Sequence, residues 1–261
     1  MGRPPPAAVS TEDLLDVAVA AARASAAVLL RYYEDGVREV EAKSTPTDLV
    51  SEADLEAEKA IRDVLAERRP GDAVLGEEGD EVVGSTGLRW VVDPLDGTIN
   101  YLFGIPQWCV SVACEGEVGV VLDPLRDELF TVRVGEEALL NGAPLRGSRR
   151  DELGTAMVAT GFGYDAGVRA AQATVVARLL PQVRDIRRLG SAALDLAWLA
   201  AGRYDAYYEY GLNAWDWAAG EMLCTAAGLQ TRHLDALPGT GAGLLVATPG
   251  IVDALEAIVT G

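Results

Sequence analysis

The stretch RWVVDPLDGTIN, residues 89–100, decides how the rest of the chain is read. Its first four residues suit a short buried strand, and Asp93 reads as the strand's end. Pro94 stiffens the backbone and removes a donor. Asp96 repeats the charge three residues on. Two carboxylates that close repel each other unless a cation lies between them. Gly97 and Thr98 follow, and a turn or helix opening there aims free N–H groups at whatever the acids hold, which suits an anion. Glycine permits close backbone approach, and the Thr98 hydroxyl can hydrogen-bond a water. The question is whether the cation is a metal.

Two other segments share the pattern. VLGEEG (74–79) places Glu77 and Glu78 at a strand end, and NAWDWAAGE (213–221) puts Asp216 at the start of a helix. Alone, each acid is ordinarily a cap or turn residue, and Asp216 has the position of a helix cap. Together they put acids at three element boundaries, where sheet proteins carry their sites. The three cysteines have no ligand spacing and His233 is the single histidine, so the donors are oxygens. Oxygen-only ligands select a hard cation such as Mg²⁺. An aspartate bridging two such ions ~3.5–4 Å apart clamps a phosphoryl group and activates water.

The 261 residues, 49% of them hydrophobic, can bury one large core or two modest ones. Forty Asp and Glu against 22 Lys and Arg give a net charge of −18. Such a surface argues against a nucleic-acid backbone or an anionic membrane as partner. Cys109, Cys114 and Cys224 read as buried free thiols of a cytoplasmic protein. In AVAAARASAAVLL (18–30), the preceding acids and Arg23 indicate an Ala-rich core helix rather than a signal sequence. No run approaches the ~20 apolar residues of a membrane span.

Ser10 with Asp13 forms a capping pair for a helix that keeps its apolar spacing to a stop near Gly36. Ser51 with Asp54 caps a second, running through Ile61 and Val64 to RRPG. Short β-branched runs then predict a sheet over residues 73–134. Beyond LLNGAPL (139–145), strand-like and helical segments alternate, ending with a helix opened by Pro249. The expected architecture is α/β (α+β): a metal-binding half, residues 1–145, and a half completing the substrate pocket, 146–261, in one compact unit.

GEEG, WVVDPLDGTINYLFGIPQWCVSVA and GSAALDLAWLAAGRYDAYYEYGLNAWDWAAG resemble the three signature segments of the inositol monophosphatase family, and the likeness spans residues 43 to about 228. The resemblance implies a layered αβαβα sandwich and Mg²⁺-dependent, lithium-sensitive hydrolysis of a small phosphate monoester, most readily inositol monophosphate. Relatives with the same metal core act on histidinol phosphate, fructose 1,6-bisphosphate, NADP or phosphoadenosine phosphate. Carried over, Glu77, Asp93 and the Leu95 carbonyl hold the first of two or three magnesium ions. Asp93, Asp96 and Asp216 hold the second. Asp54 pairs with Thr98 to position the nucleophilic water, and Glu77 helps orient it. Lys43 lies near a third, weaker metal. Asp96, Gly97 and Thr98 meet the substrate phosphate, while Ala192 and Glu209 face inositol hydroxyls. Asn213 stands where some relatives have histidine, a departure that bears on the sugar pocket and not on the metals. A homodimer is the implied assembly.

Two competing readings are weighed against this one. GFGYDA (161–166) fits the dinucleotide fingerprint of an NAD(P) oxidoreductase, but Asp165 would face the pyrophosphate. A catalytically dead relative acting as a binding protein is disfavoured by the complete ligand set. The cluster Tyr204, Tyr207, Tyr208, Tyr210, Trp215 and Trp217 reads as core or subunit interface rather than a sugar platform.

Overall fold

The computed structural model describes residues 11–35, 40–42 and 49–261. Ser10 and Lys43 lie outside the described residues, so neither the first cap nor the third-metal lysine is placed. Helix α1 (Thr11–Asp35) presents Leu14, Val17, Ala18, Ala21, Ala22 and Leu29 as one buried face. A short antiparallel pair, β1 (Val40–Ala42) and β2 (Leu49–Ser51), leads into α2 (Glu52–Arg68). As the capping pair predicts, the Asp54 carboxylate reaches back to the Ser51 N–H at 2.8 Å.

The first sheet has seven strands in sequence order: β3 (Ala73–Gly76), β4 (Arg89–Asp96), β5 (Cys109–Cys114), β6 (Val118–Asp123), β7 (Glu128–Arg133), β8 (Leu139–Leu140) and β9 (Ala143–Pro144). A single turn, α3 (Thr98–Leu102), follows β4. Only β3 and β4 run parallel, and the rest is an antiparallel meander. Asn141 and Gly142, both at positive φ, make the β8–β9 turn.

The second sheet is built from β10 (Met157–Thr160), β11 (Asp185–Arg187), β12 (Ala206–Tyr210), β13 (Gln230–Leu234) and β14 (Gly243–Ala247), in the order β11-β10-β12-β14-β13. Helix α4 (Ala166–Leu179) connects β10 to the parallel β11, and α5 (Ala192–Ala200) connects β11 to β12. Helices α6 (Ala214–Ala226) and α7 (Val252–Thr260) complete the chain. The last helix starts at Val252 rather than at Pro249, because residues 248–251 form a turn with Thr248 O accepting from the Ile251 N–H.

Three apolar layers order these elements. Val110, Val112 and Cys114 of β5 face α1 and α2, while Cys109 and Ala113 of the same strand face α5 and α6. Tyr207 of β12 joins that middle layer, and its neighbours Ala206 and Tyr208 face the outer layer of α4 and α7. The two-residue period of each strand thus yields five layers, αβαβα, as the resemblance implies.

Asn100 ties the two sheets together. Its side-chain amide donates to Gln107 O and to Leu189 O, both at 2.7 Å, 89 residues apart in the longer case. Asn100→Ala strands two carbonyls, one in each half, and should lower stability by about 2–3 kcal/mol. Denaturant titration checks this; a loss under ~0.5 kcal/mol would mean that the bridge contributes little.

Candidate active site

A regular strand would put Asp93 and Asp96, an odd number apart, on opposite faces. The strand does not end at Asp93 as the sequence suggests. β4 continues to Asp96, and its register slips on the way: Asp93 lies opposite Ser111 and Asp96 opposite Cys109. Three steps along β4 are matched by two along β5, so one residue is extra. This bulge, at the proline that cannot donate to the ladder, turns both carboxylates to the face shared by Cys109 and Ser111. The Ser25 hydroxyl of α1 donates to Pro94 O at 3.0 Å and braces the bulge from behind.

Each acid is then held by a different element. Asp93 Oδ1 accepts from the Leu95 N–H at 2.9 Å. Asp96 Oδ2 accepts from the Ser191 hydroxyl at 2.8 Å and the Ala193 N–H at 2.6 Å, so it sits at the N-terminus of α5. Asp216 is the third residue of α6 and accepts from the Asn213 N–H at 2.6 Å, the cap contact expected from its position. Asn213, the departure from the family pattern, is the N-cap of that helix. One ligand oxygen from each of Asp93, Asp96 and Asp216 lies within 4.8 Å of the others.

Glu77 lines the same cleft but is not part of that tightest trio. Its loop is fixed by Glu58 of α2, whose carboxylate accepts from the Glu78 N–H at 2.7 Å and pairs with Arg62 at 2.6 Å. A Cβ on Gly76 would lie 2.5 Å from that carboxylate. The Thr98 hydroxyl has two acceptors in reach, Asp54 Oδ1 at 3.1 Å and Leu95 O at 3.2 Å. Gly97 has φ 102°, and a Cβ there would meet Gln107 O at 2.9 Å. Only glycine fits that turn.

The electrostatics are lopsided. Burial, then Glu77, Asp96 and Asp216, push the Asp93 carboxyl well above the usual range. Asp96 is raised by burial despite the donors from Ser191 and the start of α5. Asp216 is raised by burial and by Asp96 and Glu77. Among the described residues none of the three has an ion-pair partner. Carboxylates gathered this closely fit a hard divalent cation, which would remove the repulsion.

The acids open into a cleft of about 840 Å³, counted with its mouth. Ala192 and Glu209 line it, together with Leu95, Gly97 and Thr98. Sequence reasoning did not assign Ser191, Arg188, Phe162 or Tyr164 to the site, and all four line it too. Among the described residues Arg188 is the cation that lines the cleft, its guanidinium 5.7 Å from the Phe162 ring centre. The aromatic cluster divides: Tyr204, Tyr207 and Tyr208 are buried, Tyr210 is buried and also lines the cleft with Trp215, and Trp217 packs half-buried against the middle layer. Asp165 caps α4 by accepting from the Gly167 and Val168 N–H groups, occupying the place a dinucleotide pyrophosphate would need.

The sequence from residue 10 to 255 matches the model of the inositol monophosphatase family. The chain belongs to that family. It is 44% identical over 239 residues to the inositol-1-monophosphatase SuhB of Mycobacterium tuberculosis, covering 85% of this chain and 82% of that one. The Nus factor SuhB of Escherichia coli is 41% identical over 221 residues, 82% of this chain and 83% of its own. Among solved structures, the extragenic suppressor protein SuhB from Bartonella henselae superposes with a TM-score of 0.86 at 35% identity, over 94% and 98% of the two chains. The chain is therefore a phosphoric monoester hydrolase of the inositol monophosphatase type, with the corresponding fold.

Two outcomes test the acidic cluster. Raised carboxyls bind protons more tightly in the folded chain than in the unfolded one, so stability falls as pH rises through their folded pKa values. For Glu209, which burial lifts from 4.5 to about 7, that window is pH 4.5 to 7. The chelated protein should melt higher at pH 6 than at pH 8; a midpoint that falls between pH 8 and pH 6 contradicts it. Asp93→Asn should melt no lower than wild type in EDTA, yet gain much less from Mg²⁺. Wild type should gain ~2.7 kcal/mol at a hundredfold excess over Kd. A variant equally destabilised with and without metal would make Asp93 a turn residue.

Proposed function

We propose that this chain hydrolyses inositol monophosphate to inositol and phosphate with Mg²⁺. The observation that carries the reading is one cleft holding both the Asp93, Asp96 and Asp216 trio and, apart from it, the Glu209 carboxylate. The trio suits a phosphoryl group bridged by cations, and Glu209 suits a hydroxyl donor on the alcohol. Glu77, Asp93 and the Leu95 carbonyl are assigned to a first ion, and Asp93, Asp96 and Asp216 to a second. Lys43 is kept for a third. Bound magnesium supplies Lewis acidity, for a water that attacks near neutral pH and for the charge on the leaving oxygen.

The chain's own residues do the rest. Thr98 donates its hydroxyl hydrogen to Asp54, so its oxygen is left as an acceptor that orients a water for in-line attack. Glu77 accepts that water's other hydrogen. The Gly97 and Thr98 N–H groups meet the phosphate oxygens. Ala192 offers a small apolar wall to the cleft that Glu209 also lines. The motif contains no nucleophile, and direct attack by water needs none. Residues 1–145 are taken to supply the metal ligands and 146–261 the substrate wall. Exposed Phe103 and Ile105 suit a homodimer contact. The buried thiols Cys109, Cys114 and Cys224 suit a reducing cytoplasm. No helix among the described residues is long and apolar enough to cross a membrane.

A phosphate-release assay tests the reading across inositol 1-phosphate, histidinol phosphate, fructose 1,6-bisphosphate, NADP and phosphoadenosine phosphate. Inositol 1-phosphate should lead, turnover should vanish in excess EDTA, and Li⁺ should inhibit. Release unchanged by EDTA refutes the metal assignment; a different leading ester moves the substrate assignment and leaves the chemistry.

A further inference from the structure

Glu209 enters the cleft with one oxygen already engaged. Its Oε2 accepts from the Tyr207 hydroxyl at 2.6 Å. Tyr207 is fully buried, and it lies two residues earlier on β12, on the same face of the strand. Across from it, a Cβ on Gly161 would come within 2.0 Å of Oε2. The carboxylate is wedged between a phenol and a bare backbone, and among the described residues Tyr207 is its hydrogen-bond donor. Oε1 has no hydrogen-bond donor among the described residues, and Glu209 is one of the residues that line the cleft.

The charges around Glu209 pull it in different directions. Arg188, on the loop before α5, attracts it, while Asp96 of β4 repels it. Asp216 of α6 and Asp195 of α5 feel its charge as well. A glutamate side chain has three rotatable bonds and no fixed direction of its own. Without a tether it has the option of swinging toward Arg188 at the mouth. The Tyr207 hydroxyl, fixed by a packed ring, removes that option.

We propose that Tyr207 is a positioning residue for substrate selection: its hydroxyl anchors Glu209 Oε2 so that Oε1 stands as a fixed acceptor for a hydroxyl of the substrate alcohol. This rests on the reading of the cleft as a polyol phosphate site. A fixed carboxylate there favours a neutral, hydroxyl-bearing alcohol and disfavours one carrying a second anion at that end. Phenylalanine at 207 keeps the ring and removes only the anchor.

The test is a double-mutant cycle with Tyr207→Phe, Glu209→Gln and the double variant, assayed with Mg²⁺ on inositol 1-phosphate and on p-nitrophenyl phosphate. Y207F should raise KM for inositol 1-phosphate roughly tenfold, the scale of a charge-assisted hydrogen bond, with kcat within about twofold. The ester lacking hydroxyls should change less than about twofold, and in the E209Q background Y207F should add less than about twofold. Equal losses on both esters, or the same loss in both backgrounds, overturn the proposal. A wild type that prefers another ester defeats the inositol reading instead. Carboxyl NMR in EDTA decides the anchor independently of turnover, with the Glu209 signal assigned by its loss in E209Q. Removing a donor to the ionised form should move its titration to higher pH in Y207F. An unmoved titration overturns the proposal.

Discussion

Buried like charges cannot stay together unaided, and the mutual repulsion of Asp93, Asp96 and Asp216 is the constraint around which the cleft is organised. The bulge in β4 is its backbone expression. Without the extra residue at Pro94–Leu95, strand periodicity would send one aspartate into the apolar α1–α2 layer. With it, both face the middle layer, where α5 and α6 begin. Helix N-termini carry partial positive charge, so each lowers the cost of an acid next to it. Asp96 takes the start of α5 and Asp216 lies in the first turn of α6. The residual repulsion is what a cation would remove.

The same arrangement explains why the two sheets form one working unit. Asp96 comes from the first sheet, yet its donors, Ser191 and Ala193, belong to the segment between two strands of the second. Asn100 binds carbonyls on both sides of the divide. The guanidinium groups of Arg126 and Arg203 lie over the ring of Trp198 of α5, 5.0 and 4.7 Å from its centre. Arg126 in turn pairs with Asp123 at the end of β6. Polar and cation–π contacts therefore set the angle of α5 on the first sheet, and that angle sets where Ser191 meets Asp96.

Much of this was legible in the chain. The runs around Val91, Val112 and Val120 are β-branched and buried on both faces, so they announce central strands without ambiguity. β13 escaped notice because QTRHL is polar and sits at a sheet edge, where burial leaves no pattern. The extension of β4 past Pro94 was hidden because proline ordinarily ends a ladder, and a bulge shows only in the partner's register. The acids were visible as charged residues at element boundaries. Ser191, Arg188 and Gly161 were not, because their roles depend on contacts across 95, 21 and 48 residues with Asp96, Glu209 and Glu209. Local sequence has no record of such distances.

Burial alone does not mark a functional acid, and this fold contains the control. Asp72 is as buried as Asp96, and burial raises its carboxyl, but Arg69, Thr86 and Trp90 donate to it and leave it lowered overall. Asp123 is fully buried and closed by Arg126. Asp205 accepts from Arg150 at 3.0 Å and from the Met157 N–H at 2.7 Å. These acids are stable because their counter-charges are built into the chain. Asp93, Asp96 and Asp216 have backbone and hydroxyl donors but no guanidinium or ammonium among the described residues. A chain that places an arginine beside each of three buried aspartates, and among the described residues places none beside the three that meet, leaves the compensating charge to be supplied from outside. For oxygen donors at this spacing, a hard metal ion is the charge that fits.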